Sequence, residues 1–340
     1  MVVFFHNFGF AKYFYFGWLG VDLFFVLSGF LITEILLRTV GTKDYFKSFF
    51  FKRALRIFPL YYAVLIVSVI VLPLIPSLRD NLEYYVDNQL WLWTFLQNWL
   101  FIFKEPEKTN FLVHFWSLAV EEQFYLVWPF IIFVFRKPKT LLVFVIALLL
   151  IIICLRIWFW ANDFYFTNYF NPYTFTRFDG ICIGCLLALT MKIDFDFIRK
   201  YNTIIVLMLG ALNFVFYFFN KSNSYEFPYL PFFGYTSFAF VFAFLIYEAV
   251  SGKNKMVNLV FNSKVLKFFG KISFGFYVFH WPIYLALFPR LVSVFNESFA
   301  FQLIASQITS SVIVTLIGLS VSVVSYYTFE SKFLNLKKRI

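Results

Sequence analysis

The segment HFWSLAVEEQFYLVWP, from His114 to Pro129, places two adjacent carboxylates, Glu121 and Glu122, inside an aromatic and otherwise apolar run. An ionisable side chain at the centre of a bilayer costs roughly 2.5–3.5 kcal/mol, so each one is a candidate functional residue. When the segment is projected as an α-helix, one face contains His114, Ser117, Glu121 and Tyr125. Glu122 lies beside that face. We expect this face to line a hydrated cavity and to meet arginines from other helices. A structural ion pair that fixes helix packing is the alternative.

The composition of the whole chain is that of a membrane protein. Of its 340 residues, 61% are hydrophobic and 14% are charged, whereas soluble domains contain about 25% charged residues. Apolar runs of about 18 residues recur, and they are continuous rather than alternating, which predicts helices and not a β-barrel. We therefore expect an all-α polytopic membrane protein, a single integral-membrane domain over 1–340 without a fused extracytoplasmic domain. About ten spans are predicted, at 1–11, 18–37, 57–75, 115–135, 140–160, 175–191, 202–219, 232–250, 272–289 and 301–329.

The basic residues predict the orientation of these spans. The net charge is +11, and 21 of the 29 Lys and Arg residues fall in five segments between predicted helices. These segments are 38–56, 136–139, 192–200, 251–271 and 332–339. Alternating basic and non-basic loops follow the positive-inside pattern, which predicts that both termini lie in the cytoplasm. The positive net charge is then explained by membrane topology and by attraction to anionic lipids, and not by nucleic-acid binding. The apolar run at 89–103 has about 15 residues, and we expect it to be re-entrant or interfacial, because an additional crossing would invert every later loop.

Five other segments contain polar groups among apolar residues. VVFFHN contains His6, and GWLGVDLFFVLSGFLIT contains Asp22 and Ser28. In FFFKRALRIFP, Arg53 and Arg56 lie one turn apart at a helix entrance, a spacing that suits phosphate oxygens; interfacial anchoring is the alternative. A further set of candidates comes from TRFDGICIG and GKISFGFYVFHWP, namely Arg177, Asp179, Ser273, Tyr277 and His280. Trp116 completes the set of cavity candidates.

Motifs of several other enzyme classes are absent from the sequence. It contains no G-x-S-x-G, no H-E-x-x-H, no Walker A loop and no G-x-G-x-x-G. Cys182 and Cys185 form a C-x-x-C without flanking histidine or cysteine ligands, and we expect no metal site. The glycine pair Gly180 and Gly184 is more typical of a helix-packing face than of a binding site.

The combination of these motifs resembles the membrane-bound acyltransferase family 3, and the resemblance covers essentially the whole chain. The similar segments, in chain order, are GWLGVDLFFVLSGFLIT, KRALRIFP, HFWSLAVEEQFYLVWP, TRFDGICIG and GKISFGFYVFHWP. That family includes O-acetyltransferases of lipopolysaccharide O-antigen, peptidoglycan and exported polysaccharides. The resemblance implies ten core helices in the bacterial inner membrane, a cytoplasmic acyl-CoA donor, acetyl-CoA above all, and a carbohydrate or lipid-linked glycan acceptor.

The resemblance also assigns roles to particular residues. The histidine of the family's first helix corresponds to His6, and its R-x-x-R pair corresponds to Arg53 and Arg56. A neutral imidazole is a suitable general base at cellular pH, so we expect His6 to deprotonate the acceptor hydroxyl, a covalent acyl-histidine being the less favoured route. The arginine pair would hold the phosphates of CoA, and Glu121 and Glu122 would orient cationic partners or the hydroxyls of the acceptor.

The N-terminus departs from the family pattern. The pattern has an arginine eleven residues before the histidine, but Met1 lies five residues before His6. We expect that the start codon has been assigned too late and that the first helix is truncated; a defective family member is the alternative. Two further functional hypotheses remain open, a transporter or flippase of a lipid-linked sugar and an inactive scaffold.

Overall fold

A computed structural model describes residues 1–10, 17–104, 110–162, 174–193, 196–219, 233–252, 255–298 and 303–337. The predicted spans 1–11, 232–250 and 301–329 and the basic segments at 192–200, 251–271 and 332–339 include residues outside these ranges. Every regular element within the described ranges is helical. The α-helices are α1 (Val2–Asn7), α2 (Leu19–Thr39), α3 (Tyr45–Ile66), α4 (Pro76–Asp87), α5 (Gln89–Trp93), α6 (Gln97–Phe103), α7 (Trp116–Phe135), α8 (Pro138–Ala161), α9 (Thr174–Arg177), α10 (Asp179–Ile193), α11 (Asp196–Phe219), α12 (Tyr235–Ser251), α13 (Lys255–Phe261), α14 (Lys264–Ser298), α15 (Leu303–Ser325) and α16 (Ser331–Leu336).

Six helical stretches in the described part of the chain are long and apolar enough to cross a membrane. They are Leu19–Thr39, Tyr45–Leu74, Val113–Phe135, Pro138–Ala161, Lys264–Glu297 and Leu303–Leu336. A seventh span is possible if α12 and α13, which are bent by 93° relative to each other, act as one broken crossing. The prediction of an all-helical polytopic membrane protein is therefore confirmed, while the ten crossings and their orientation stay predictions.

The apolar run at 89–103 forms two short helices, α5 and α6, separated near Phe95, whose φ is 55°. Neither is long enough to cross a bilayer. Side-chain amides attach this segment to α7 and its start: Gln97 Nε2 donates to the Phe115 carbonyl at 2.9 Å, and Gln123 Nε2 donates to the Phe95 carbonyl at 3.0 Å. The backbone groups at the break are thus bonded inside the protein, as membrane-embedded irregular backbone requires.

Helices α2 and α10 cross at short range, and two glycines make this approach possible. A Cβ on Gly29 would lie 2.1 Å from the Ile181 carbonyl oxygen, and one on Gly184 would lie 2.1 Å from the Val26 carbonyl oxygen. Larger residues would force the helices apart, so these glycines serve packing. Helices α8 and α12 pack against this pair, while α1, α14 and α15 form a second group. Helices α3 and α7 lie between the two groups and contact both.

Candidate active site

The three histidines of the chain meet between α1, the start of α7 and the middle of α14. His6 Nδ1 lies 2.8 Å from His280 Nε2, although the two residues are 274 positions apart in sequence. The two rings are nearly parallel, with an interplanar angle of 7°. The centroid of the His114 ring lies 5.3 Å from that of His280, and the Trp281 ring lies 4.6 Å from His6. The sequence predicted three separate polar helices, and the structure brings their histidines into one cluster.

Backbone carbonyls hold the orientation of two of these rings. His280 Nδ1 lies 2.6 Å from the carbonyl oxygen of Tyr277, one turn earlier in α14. His114 Nε2 lies 3.2 Å from the carbonyl oxygen of Val278. Since a carbonyl oxygen only accepts, His114 carries its proton on Nε2 and leaves Nδ1 as an acceptor. That Nδ1 atom is buried and has no hydrogen-bond partner among the described residues, so it is available to a hydroxyl donor.

Tyr277 joins the histidines to α7. Its hydroxyl donates to the His114 carbonyl at 2.6 Å, and Ser117 Oγ lies 2.6 Å from the same hydroxyl and donates to it. Ser117 and His114 were predicted to share one face of their helix with Glu121, which follows Ser117 by one helical turn. The polar face of α7 thus continues from the histidines toward Glu121.

Glu121 is buried, with 3% of its surface exposed, and its carboxylate accepts hydrogen bonds from Ser28 and Tyr125. The guanidinium carbon of Arg53 lies 5.2 Å from the centroid of the Tyr125 ring, an arrangement that gives a cation–π contact. The positive charges of Arg53 and Arg56 act on the Glu121 carboxylate. Residues from α2, α3 and α7 therefore build one site around this carboxylate.

Glu122 lies beside this arrangement rather than within it. Its Oε1 atom is buried and accepts no hydrogen bond from the described residues, and the positive charge of Arg53 acts on its carboxyl group. A buried carboxylate oxygen that lacks a donor inside the protein can accept one from a bound molecule. The two adjacent glutamates therefore have different surroundings, and Glu122 has the less saturated one.

A basic cluster is formed by Lys52, Arg53 and Arg56, which lie near the middle of α3 and not at the predicted helix entrance, together with Lys337, which follows the end of α16. None of the three ion pairs in the described residues involves a member of this cluster. Partial burial, together with the charges of Arg56, Arg53 and Lys52, lowers the pKa of Lys337 from 10.5 to about 8. Concentrated positive charge of this kind favours a polyanion such as a phosphate ester. The contribution of Lys337 was not predicted, since its segment was interpreted as topology alone.

Four predicted candidates form a second site, which we call the ion-pair cluster. Arg177 donates to Asp22 at 2.6 Å, and Arg156 donates to Asp179 at 2.9 Å and to Thr236 at 2.6 Å. Aromatic rings complete it: the Arg177 guanidinium lies 3.9 Å from the Tyr235 ring centroid and 6.0 Å from that of Trp116. Asp22, Trp116, Arg177 and Asp179 therefore belong to this cluster and not to the histidine site.

Two residues differ from the predicted set of site residues: Ser273 lies outside the site, and Arg156 belongs to the ion-pair cluster although it was not predicted. Ser273 is exposed and donates to the Gly270 carbonyl of its own helix at 3.0 Å, so the predicted stripe of α14 contributes Tyr277 and His280 to the site and not Ser273. Arg156 was missed, although it is 0% exposed. A single guanidinium inside the 24-residue apolar helix α8 was the signal that would have identified it.

Within the described ranges, no group of three or more His, Cys, Asp or Glu side chains is placed to hold a metal ion.

Comparison with known proteins gives one family. The sequence model of a family described as an acyltransferase domain matches residues 1–327. The chain is 31% identical over 294 residues to the peptidoglycan O-acetyltransferase OatA of Listeria monocytogenes. It is 28% identical over 288 residues to the putative peptidoglycan O-acetyltransferase YrhL of Bacillus subtilis, and 28% over 293 residues to a putative O-acetyltransferase of Staphylococcus aureus.

These alignments cover most of this chain but less of the relatives. They include 82%, 78% and 78% of the chain, and 46%, 44% and 46% of the three relatives in the same order. The chain thus spans less than half the length of these curated relatives. No solved structure matches it.

Proposed function

Because the chain belongs to acyltransferase family 3, we propose that it transfers an acyl group, acetyl in the first instance, from acyl-CoA to a hydroxyl of a cell-envelope carbohydrate. The observation that carries this proposal is two bonded groups of polar side chains that share one face of α7, one group beside the basic cluster and the other around His6. We call the two groups together the polar track, which consists of Arg53, Tyr125, Glu121, Ser28, Ser117, Tyr277, His114, His280 and His6.

The donor would bind at the basic cluster. The phosphates of CoA need several hydrogen-bond donors with positive charge, and Arg53 and Arg56 supply planar guanidiniums one helical turn apart. The charge of Lys337, which acts together with theirs, comes from the other end of the chain. With the basic loops inside, this cluster would face the cytoplasm, where acyl-CoA is made, and the ten predicted crossings would place both termini on that side of a bacterial plasma membrane.

The chemical step would take place at the other end of the polar track. His6 would accept the proton of the acceptor hydroxyl while the hydroxyl oxygen attacks the thioester carbonyl carbon. The new ester C–O bond forms, the C–S bond breaks, and the CoA thiolate leaves and takes up the proton. Glu121 and Glu122 would hold Arg53 and the polar groups of the substrates in place, and the free acceptor atom of His114 would receive a hydroxyl of the carbohydrate.

Peptidoglycan is the acceptor that we propose first. One of the relatives is named a peptidoglycan O-acetyltransferase and another a putative peptidoglycan O-acetyltransferase. Lipopolysaccharide and exported polysaccharides are other carbohydrates on which the same ester chemistry would work. In each case the acceptor hydroxyl would reach the histidine cluster from the face of the membrane opposite the basic cluster.

The direct test uses the protein in lipid nanodiscs with radiolabelled acetyl-CoA and purified glycan fragments. We expect label to pass into base-labile glycan esters and free CoA to appear in equal amounts. Comparison of surface glycans from cells with and without the gene, by NMR, identifies the acyl group and the modified sugar. Absence of acyl-CoA turnover, with movement of a lipid-linked sugar across the membrane instead, would support a transporter and contradict the proposal.

A further inference from the structure

The hydrogen bond between His6 and His280 has a direction that the surroundings determine. His280 Nδ1 lies 2.6 Å from the Tyr277 carbonyl oxygen, which only accepts, so this nitrogen carries a proton. A neutral imidazole has one N–H group, and His280 Nε2 must therefore be an acceptor. The described neighbours of the His280 ring include two histidines, a tyrosine and the backbone of Phe276, and none of these carries a negative charge that would favour an imidazolium.

The same reasoning then applies to His6. Its Nδ1 atom lies 2.8 Å from the acceptor atom of His280, so Nδ1 carries the proton of the His6 ring. His6 Nε2 is left with an unshared electron pair. The His6 ring packs against two neighbours, since it lies nearly parallel to His280 and its centroid is 4.6 Å from that of Trp281.

We propose that His280 is a positioning residue, which holds His6 in the tautomer protonated at Nδ1 and so makes Nε2 the reacting atom. This inference rests on the proposed function, in which His6 is the base. The hydroxyl proton passes to Nε2, and the resulting imidazolium keeps its Nδ1–H bond to His280. When the C–S bond breaks, the thiolate takes the proton from Nε2, and His6 returns to its starting tautomer.

His280 acts on the rate and not on the binding of the donor. It lies at the histidine end of the polar track, whereas the phosphates of the donor would bind at the basic cluster. A histidine that loses the partner of its second nitrogen populates the wrong tautomer and rotates, which lowers turnover while substrate affinity is preserved.

The test compares two variants of one position. His280→Phe keeps a ring but removes the acceptor, whereas His280→Gln places a side-chain oxygen close to the position of Nε2. We expect His280→Phe to lower kcat by roughly 10²- to 10⁴-fold, as loss of a tautomer-fixing partner does in serine proteases, with KM for acetyl-CoA changed by less than about twofold. His280→Gln should recover at least about tenfold of the lost kcat, because one hydrogen bond is restored. Val265→Ala, at an exposed position of the same helix, is the control and should retain wild-type rates.

A second measurement does not depend on activity. Nitrogen-15 NMR of histidine-labelled protein in nanodiscs distinguishes the two tautomers, and His6 is assigned as the signal lost in His6→Ala. Wild-type protein should show His6 protonated at Nδ1, and His280→Phe should show a mixture. A wild-type His6 protonated at Nε2, or a His280→Phe variant with full kcat, would overturn the inference. If wild-type protein shows no transfer, the proposed function fails, and the tautomer measurement still decides the role of His280.

Discussion

The molecule contains two buried polar regions of different composition, the ion-pair cluster and the polar track. In the ion-pair cluster, two arginines face two aspartates at 2.6 and 2.9 Å, so that its formal charges cancel. In the polar track, one carboxylate accepts hydrogen bonds from two hydroxyls, three imidazoles lie at one end, and the cation Arg53 lies at the other. Helix α2 contributes to both regions, Asp22 to one and Ser28 to the other.

This difference separates packing from chemistry. A buried ion pair offsets the desolvation of each charge by the attraction of its partner, and it has no reason to exchange a proton. Imidazoles with a free electron pair, next to hydroxyls, exchange protons near neutral pH. We therefore expect substitutions in the ion-pair cluster to change stability and substitutions in the polar track to change rate.

The largest effect on rate is expected for His6→Ala. Loss of the general base should lower kcat by roughly 10²- to 10⁴-fold, because the atom that accepts the hydroxyl proton is removed. The measurement is transfer of radiolabelled acetyl from acetyl-CoA by purified protein. Phe4→Ala, an exposed residue of the same short helix, is the matched control and should remain active. Retention of transfer by His6→Ala would remove His6 from its proposed role.

The sequence predicted individual helices better than it predicted their contacts. Hydropathy located the apolar helices, and helical projection located the polar face of α7, because both are local properties of the chain. The contact of His6 with His280 joins residues 274 positions apart, and no periodic pattern reports which helices become neighbours. The same limit explains why Asp22 and Arg177 were considered with the histidines, although they form an ion pair elsewhere.

The next effect is on stability, and it tests the other region. Arg156→Met leaves Asp179 as a buried charge without its cationic partner, and we expect a loss of about 3–5 kcal/mol of folding free energy. The double variant Arg156→Met with Asp179→Leu removes both charges and should recover most of that loss. The measurement is the midpoint of thermal unfolding in detergent.

A matched control is available on the surface. Arg38→Met breaks the exposed pair of Arg38 with Glu34, which has the same charge types at an i, i+4 spacing. We expect it to cost about 0.5 kcal/mol or less. The remaining folded fraction of Arg156→Met should keep its rate per molecule. A rate loss as large as that of His6→Ala would show that the two regions are not separate in function.

A smaller effect is expected at the basic cluster. Replacement of Arg53 and Arg56 by alanine removes charge-assisted hydrogen bonds to phosphate, and the loss of about 3 kcal/mol or more should raise KM for acetyl-CoA roughly 100-fold. The maximal rate should change less than KM. Lys47→Ala, at an exposed position of the same helix, is the control. An unchanged KM in the double variant would contradict donor binding at this cluster.

The smallest effect concerns Lys337 and depends on pH. Its pKa of about 8 means that the ammonium group is charged at pH 7 and largely neutral at pH 9. Because a polyanion prefers the charged form, affinity for CoA should decrease as the pH rises through 8, and binding near pH 8 should take up protons. Lys337→Gln should weaken binding about two- to fivefold at pH 7, the range of a partly exposed charge pair. It should also remove most of the change between pH 7 and 9, whereas Lys337→Arg should keep high affinity at both. Calorimetric titration with CoA, in buffers of different ionisation enthalpy, measures affinity and proton uptake without any chemical step. An affinity that is independent of pH in the wild type would show that the CoA phosphates bind beyond the reach of Lys337, at the arginine pair alone.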